Sequence, residues 1–443
     1  MRKGWLVTAL ISLVGASVFG AGLALLPIVD DKVNGPPARP AVLEAFEGAG
    51  PVKSAEEWRT VRVPALREAF QRHVYGRMPA PAPVDVVERK PLAIAGLKSA
   101  ASVEEWTLRT RAGARLVQLR VVLVRPRREG PAPLIVLENF CSNAAAFKNS
   151  PLVARAEAAA NVECEGRLMR PLIRSVFGAH IFGPPFERAL ARGYALALLH
   201  PGEVITDAAG PGLAELAEID PAAAAAPDRP SAVGLWAWTY SRVLDALEQD
   251  AGLDPTRQAV WGHSRYGKAA LLAGAFDERI DAVVSLQPGT GGGTLSRSYA
   301  GESVAQITQS YPHWFAPAYA AYGEREEELP IDQHQLIALL APRPLLLGAA
   351  RQDRWSDPKG AFRAAQGADP AYELLGAKGL DQPKMSAFNP DAEIAVFLRN
   401  GLHGVTPTDW TRTLDYLDRQ FAKPRSPAPA PAEEPLQATP VRL

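Results

Sequence analysis

A doubly wound, mostly parallel α/β sheet with helices on both faces is the fold class this sequence predicts, and three observations carry the prediction. From Leu134 onward, short apolar runs of strand length alternate with segments whose apolar residues recur at helical spacing. One of those runs, Gln258-Ala-Val-Trp261, gives way within a few residues to a good helix-forming segment, Lys268-Ala-Ala-Leu-Leu-Ala-Gly-Ala275. Two stretches, Ser142 to Gly183 and Gly202 to Ala232, are too long for simple connections and read as inserted loops over the active site.

The chain has 443 residues, 47% hydrophobic and 22% charged, which is enough to bury a large core in one α/β domain. Its 48 basic and 48 acidic residues cancel, so the excess of positive charge that accompanies a nucleic-acid partner is missing. Arg2 and Lys3 precede an uncharged apolar run, Gly4 to Leu26, with small residues at Gly20 to Ala24. Residues 1–26 therefore read as an export signal, or as an uncleaved anchor, since the run is long enough to span a bilayer. Either way the body is expected outside the cytoplasm, periplasmic or secreted. Residues 27–40 read as a Pro-rich linker, 41–423 as a single domain, and 424–443 as a disordered Pro/Ala-rich tail. The two cysteines, Cys141 and Cys164, suit a disulfide in an exported protein, with two unpaired thiols as the alternative. They have no histidines close by, so no metal site is expected, nor any cofactor; the chain is expected to be a monomer.

Taken in order, Ala65 to Arg72 is amphipathic helix, and Val87 to Arg125 alternates as strands do, most clearly at Leu116 to Val124. Leu134 to Phe140 and Tyr194 to His200 are buried strands, with a helix at Phe186 to Arg192 between them. The helix Gly234 to Gln249 precedes the Gln258 strand, and Ala282 to Leu286 follows its helix. After a long irregular section come the strands Pro344 to Gly348 and Glu393 to Leu398, and Asp409 to Phe421 closes the chain as a helix.

Between the Gln258 strand and its helix stands Gly262-His-Ser-Arg-Tyr-Gly267. A serine at an abrupt strand-to-helix bend is the geometry of a nucleophile elbow, with small neighbours because the turn is tight. The second glycine is one place late, at Gly267 rather than at 266. Ser264 is the candidate nucleophile, and a serine needs a base to take its proton. In α/β-hydrolase order that base follows the last core strand, where His403 stands among glycines. The acid that orients it follows an earlier strand, and Asp353 lies just past Pro344 to Gly348, with Asp357 as its local rival. His73, His180 and His200 fit surface, loop or strand-end roles, and His263 is turned away by the elbow.

These residues carry a resemblance. Gly262-His-Ser-Arg-Tyr-Gly-Lys268, Gly289-Thr-Gly-Gly-Gly293, Leu295-Ser-Arg297, Gly301-Glu302, Tyr311-Pro-His-Trp-Phe315, Asp332-Gln-His334, Ala341-Pro-Arg-Pro344 and Asp353-Arg-Trp-Ser-Asp-Pro358 together resemble the carbohydrate esterase family 15 glucuronoyl esterases, especially the bacterial ones. The likeness covers roughly residues 130 to 420, and family members share the late glycine. It implies an α/β-hydrolase that cleaves the ester between a glucuronic acid carboxyl on xylan and a lignin alcohol. Ser264 would be nucleophile, His403 base and Asp353 acid; Arg265 would support the oxyanion through its N–H and guanidinium. Lys268, Glu302 and Trp355 match positions that hold the sugar.

Two departures stand out. Fungal members carry a catalytic glutamate where this chain has Gln287, and Asn139-Phe-Cys-Ser-Asn143 with its following insertion alters the wall of the pocket. Trp314 and Phe315 suit a core or a sugar platform equally; Trp236 and Trp238 lie on opposite helix faces, and His334 reads as a structural histidine. The alternatives to a glucuronoyl esterase are an acetylxylan or feruloyl esterase on the same scaffold, and a carbohydrate-binding envelope protein that has lost activity.

Overall fold

The computed structural model describes residues 28–147 and 169–424. The expected export segment, the expected tail after Pro424 and the middle of the first insertion lie outside the described residues. Nine strands occur among them: β1 (Asp85–Pro91), β2 (Ala100–Ala112), β3 (Arg115–Pro126), β4 (Ala132–Glu138), β5 (Ala195–Leu199), β6 (Leu253–His263), β7 (Ala282–Leu286), β8 (Leu345–Ala350) and β9 (Ile394–Arg399). They form one sheet in the order β1-β2-β3-β5-β4-β6-β7-β8-β9. From β5 to β9 neighbours run parallel, and the edge from β1 to β5 is antiparallel.

The parallel strands β4, β5, β7 and β8 are fully buried because helices cover both faces, which is why they read as unbroken apolar runs. Strand alternation divides the core in two. Leu134 and Val136 of β4 and Val260 of β6 join one cluster; Ile135, Leu137, Ala259 and Trp261 join the other. The helices of six or more residues are α1 (Val63–Phe70), α2 (Met169–Phe177), α3 (Phe186–Ala191), α4 (Ala209–Ile219), α5 (Ala232–Leu247), α6 (Arg265–Phe276), α7 (Val304–Ser310), α8 (Gln333–Ala338), α9 (Pro358–Leu374) and α10 (Pro407–Phe421). The first core cluster lies under α5, α6, α8 and α9, and the second under α3 and α10.

Helices α2 and α4 lie within the stretches read as inserted loops, and α7, α8 and α9 have no counterpart among the elements expected from the sequence. Helix α9 is rich in alanine and interrupted by Pro370, so its apolar stripe is weak although nine of its residues are buried. Strand β6 begins at Leu253, five residues before its apolar run, because its first half is polar and partly exposed. Residues 28–40, read as a linker, run along the body: Val29 N–H donates to Arg351 O at 2.7 Å, Lys359 pairs with Asp30 at 2.6 Å, and His334 Nε2 donates to Pro40 O at 2.7 Å. No helix among the described residues is long and apolar enough to cross a membrane.

Candidate active site

Four adjacent parallel strands, β6 to β9, end at the same edge of the sheet, and Ser264, Gln287, Asp353 and His403 follow their C-terminal ends. That edge is where open α/β sheets place their ligands. At the bend Ser264 has φ 57° and ψ −125°, a conformation that a non-glycine residue adopts only under constraint. The constraint is visible: Ser264 N–H donates to Leu286 O of β7 at 2.8 Å, while α6 begins at the next residue. A Cβ on Gly262 would stand 1.9 Å from Tyr266 O, so no other residue fits there. Gly267 faces β7 instead, its own Cβ position 3.0 Å from Ser285 Oγ, so the late glycine serves the packing of α6 on the sheet. Among the described residues the Ser264 hydroxyl has no hydrogen-bond partner.

His403 lies on the loop after β9, and its Nδ1 hydrogen-bonds Asp353 Oδ2 at 2.8 Å. Ser356 Oγ lies 3.2 Å from the same nitrogen. Burial alone would raise the Asp353 carboxyl; the His403 hydrogen bond and charge, with the Ser356 hydroxyl and N–H, outweigh it and hold the acid below its ordinary range. The rival acid does something else. Asp357 caps α9, accepting from Gly360 N–H at 3.0 Å and from the Ser298 hydroxyl. Buried Arg399 closes the ends of the His403 loop, its Nε 2.7 Å from Asp409 Oδ2 and one Nη 2.7 Å from Gly404 O. The imidazole itself stays partly open to solvent, as a proton carrier must.

Arg265 is the first residue of α6, and its guanidinium is ion-paired with Asp207. Asp207 also accepts from Trp314 Nε1 at 2.7 Å and from His313 Nε2 at 3.1 Å. Burial would raise this carboxyl, yet the His313 bond, the Arg265 charge and the Trp314 bond bring it down to about 2. The cation lies 4.8 Å from the centre of the Trp314 ring, which is stacked on Tyr311 at 3.8 Å. Trp314 is thus a buried platform for an arginine. Arg265 Nε is buried with no hydrogen-bond partner among the described residues. Asp207 was missed in the sequence because it lies alone in the second insertion, with no motif around it.

Lys268 is buried, donating to Pro288 O at 2.6 Å and to Thr290 O, and so holds the glycine run over the site. Burial pulls its ammonium down to about 8, with Glu302 opposing and Arg265 reinforcing. Burial raises the Glu302 carboxyl, against the Lys268 charge and a hydrogen bond from Trp355. Trp355 itself is 54% exposed, an indole face open to solvent beside a carboxylate and an ammonium. The other aromatics weighed from the sequence are core: Phe315, Trp236 and Trp238 are all buried, Trp236 Nε1 donating to Ile205 O at 3.1 Å.

Of the other histidines, His73 meets Tyr322 Oη at 2.9 Å, and His200 Nδ1 meets Asn139 O at 3.1 Å. His334 holds Pro40, in the structural role expected of it. Cys141 is buried and disulfide-bonded; Cys164 lies outside the described residues. No group of three or more metal-ligating side chains is present among the described residues.

The profile of a family described as "Glucuronyl esterase, fungi" matches residues 227–376. The structure of a glucuronoyl esterase from Solibacter usitatus superposes with a TM-score of 0.72 at 30% identity, covering 88% of this chain and 99% of that one. The chain belongs to carbohydrate esterase family 15. A promiscuous family 15 esterase from a marine bacterial metagenome superposes with a TM-score of 0.75 at 28% identity, covering 88% and 100%. A curated carbohydrate esterase from an unknown prokaryotic organism is 40% identical over 239 residues, 53% of this chain and 55% of its own length. The chain thus spans about half the length of that curated relative, and 38% of the 4-O-methyl-glucuronoyl methylesterase 1 of Wolfiporia cocos, at 37% identity. Within the family 15 fold, Gln287 Oε1 lies 2.9 Å from His263 Nε2 and 2.8 Å from Gly404 N, so the side chain where fungal members carry a glutamate bonds a histidine and a backbone N–H beside His403.

Proposed function

We infer that this family 15 chain is a serine carboxylic ester hydrolase acting on esters of (4-O-methyl-)glucuronic acid, as in linkages between lignin and glucuronoxylan. The observation that carries the reading is the 2.8 Å hydrogen bond between His403 Nδ1 and Asp353, beside a serine held at φ 57° on a strand-to-helix bend. With Nδ1–H donated to the carboxylate, Nε2 of His403 is the basic nitrogen. It takes the Ser264 proton as Oγ attacks the ester carbon, and Asp353 stabilises the imidazolium. The Arg265 N–H, free of helix bonding at the first position of α6, and the Arg265 guanidinium face the developing oxyanion. The alcohol departs with the proton from His403, and water, deprotonated by the same nitrogen, releases the uronic acid. Lys268, Glu302 and the open face of Trp355 hold the sugar through hydroxyl hydrogen bonds and C–H contact. The apolar N-terminal run supports export, and the reading needs no metal.

The test is hydrolysis of benzyl glucuronate by residues 28–443, beside acetyl and feruloyl esters. Glucuronate hydrolysis is expected to vanish in Ser264→Ala and to fall on the order of 10⁴-fold in Asp353→Asn, where an uncharged amide can donate to Nδ1 and so favours the wrong tautomer of His403. Preference for acetyl or feruloyl esters would move the substrate while keeping the triad. Binding of xylan fragments without hydrolysis of any ester would replace the enzyme by a binding protein.

A further inference from the structure

His263 is 1% exposed, and its ring lies 4.6 Å from that of His403. It belongs to the elbow, one residue before Ser264, whereas His403 belongs to the loop after β9. The amide of Gln287 joins the two. Gly404 N–H is a donor only, so the Gln287 atom 2.8 Å away must be the oxygen. The same oxygen lies 2.9 Å from His263 Nε2, so that nitrogen carries a proton and donates it. Gln287 has no freedom to swing away: its backbone sits at φ 50°, its N–H donates to Gly348 O at 2.8 Å, and the side chain is 3% exposed. A strained residue that presents one oxygen to two donors is a device worth its strain only if the donors need to be held together.

We propose that His263 and Gln287 are positioning residues forming a clasp, His263 Nε2–H to Gln287 Oε1 to Gly404 N–H, that fixes the His403 loop against the nucleophile elbow. Asp353 sets the tautomer and charge of His403; the clasp sets where the ring stands relative to Ser264. Burial and the nearby His403 keep His263 neutral, with Arg399 and Arg265 adding to them against the pull of Gln287, as a donor paired to a neutral oxygen requires. A glutamine suits this task better than the fungal glutamate, because a carboxylate here would favour a second imidazolium 4.6 Å from the working one.

The proposal rests on the triad reading above, and its test keeps the two separable. Gln287→Met preserves volume and removes the oxygen. Its kcat on benzyl glucuronate is expected to fall on the order of 10²-fold, with KM changed less than about twofold, because a misplaced base spoils the chemical step and leaves ground-state binding alone. Gln287→Glu, which keeps an acceptor but adds a charge, is expected to recover only part of that loss. His263→Phe is expected to lower kcat less, and the double variant His263→Phe with Gln287→Met to be no worse than Gln287→Met alone. Parent kcat in Gln287→Met, a loss confined to KM, or additive losses in the double variant would overturn the clasp. Should the parent itself hydrolyse no ester, the triad reading fails and the clasp is read directly. In protein labelled with 15N-histidine, a protected Nε2–H of His263 should be present, and it should be lost in Gln287→Met; its absence from the parent would refute the proposal.

Discussion

Lys268 carries a charge whose range is set by its burial. Its folded pKa is depressed to about 8, so the ammonium is intact well below that value and is lost as the pH rises through it. Burial raises the Glu302 carboxyl, so the anionic partner disappears from the acid side sooner than an exposed glutamate would. Sugar binding through this pair is therefore expected in a window whose upper edge is near pH 8, and KM for a glucuronate ester should climb above it; Lys268→Arg, charged throughout, should move that edge upward in a KM-pH profile. Asp207 offers a different experiment. Its carboxylate pairs with Arg265 while accepting from His313 and Trp314, so Asp207→Asn should loosen the guanidinium, left with its ring contact to Trp314, while leaving its charge. A drop in kcat/KM on the order of 10²-fold is expected from the misplaced cation, measured beside Tm to separate it from unfolding.

Helix α6 and strand β6 show what a bend of this kind demands of its glycines. Gly262→Ala would set a methyl 1.9 Å from Tyr266 O, in rigid backbone, and should destabilise by about 3 kcal/mol or more. Gly267→Ala meets Ser285 Oγ at 3.0 Å and Leu286 O at 3.2 Å, contacts that need a shift of a few tenths of an ångström, and a gain of about 1 kcal/mol of helix propensity offsets that cost. Thermal unfolding should therefore place Gly267→Ala within a few degrees of the parent and Gly262→Ala far below it. The same elements explain what the sequence made legible. Strands β4, β5, β7, β8 and β9 are buried on both faces, so their apolar runs are continuous and stand out, and Ser264 and His403, the candidate nucleophile and base, sit at fixed places relative to such strands. Asp353 was legible for the same reason. Asp207, the clasp and α9 were not: the first two join residues far apart in the chain, and an alanine-rich helix with an internal proline has little periodicity to read.

At the scale of the whole molecule, the edge that carries Ser264, Asp353 and His403 is braced from behind by residues 28–40. Residues 28–40 run along α9 and past the C-terminal end of β8: Asp30 pairs with Lys359, Arg363 donates to Pro36 O at 2.9 Å, and Arg297 donates to Arg39 O at 2.9 Å. Val29 is the sharpest contact: its N–H donates to the backbone carbonyl of Arg351 at 2.7 Å, two residues before Asp353, and its own carbonyl accepts from the Arg351 guanidinium at 3.1 Å. Each surface ion pair contributes little by itself. The backbone pairing is another matter, because it holds the turn from which Asp353 reaches His403. A chain beginning at residue 28 should therefore match the full-length protein in Tm and kcat. A chain beginning at residue 41 should melt about 5 °C lower and lose kcat more than KM, as the acid loses its fixed direction. Equal Tm and kcat for the two truncations would reduce the strap to a passive connection, leaving the orientation of Asp353 to Ser356 and His403 alone.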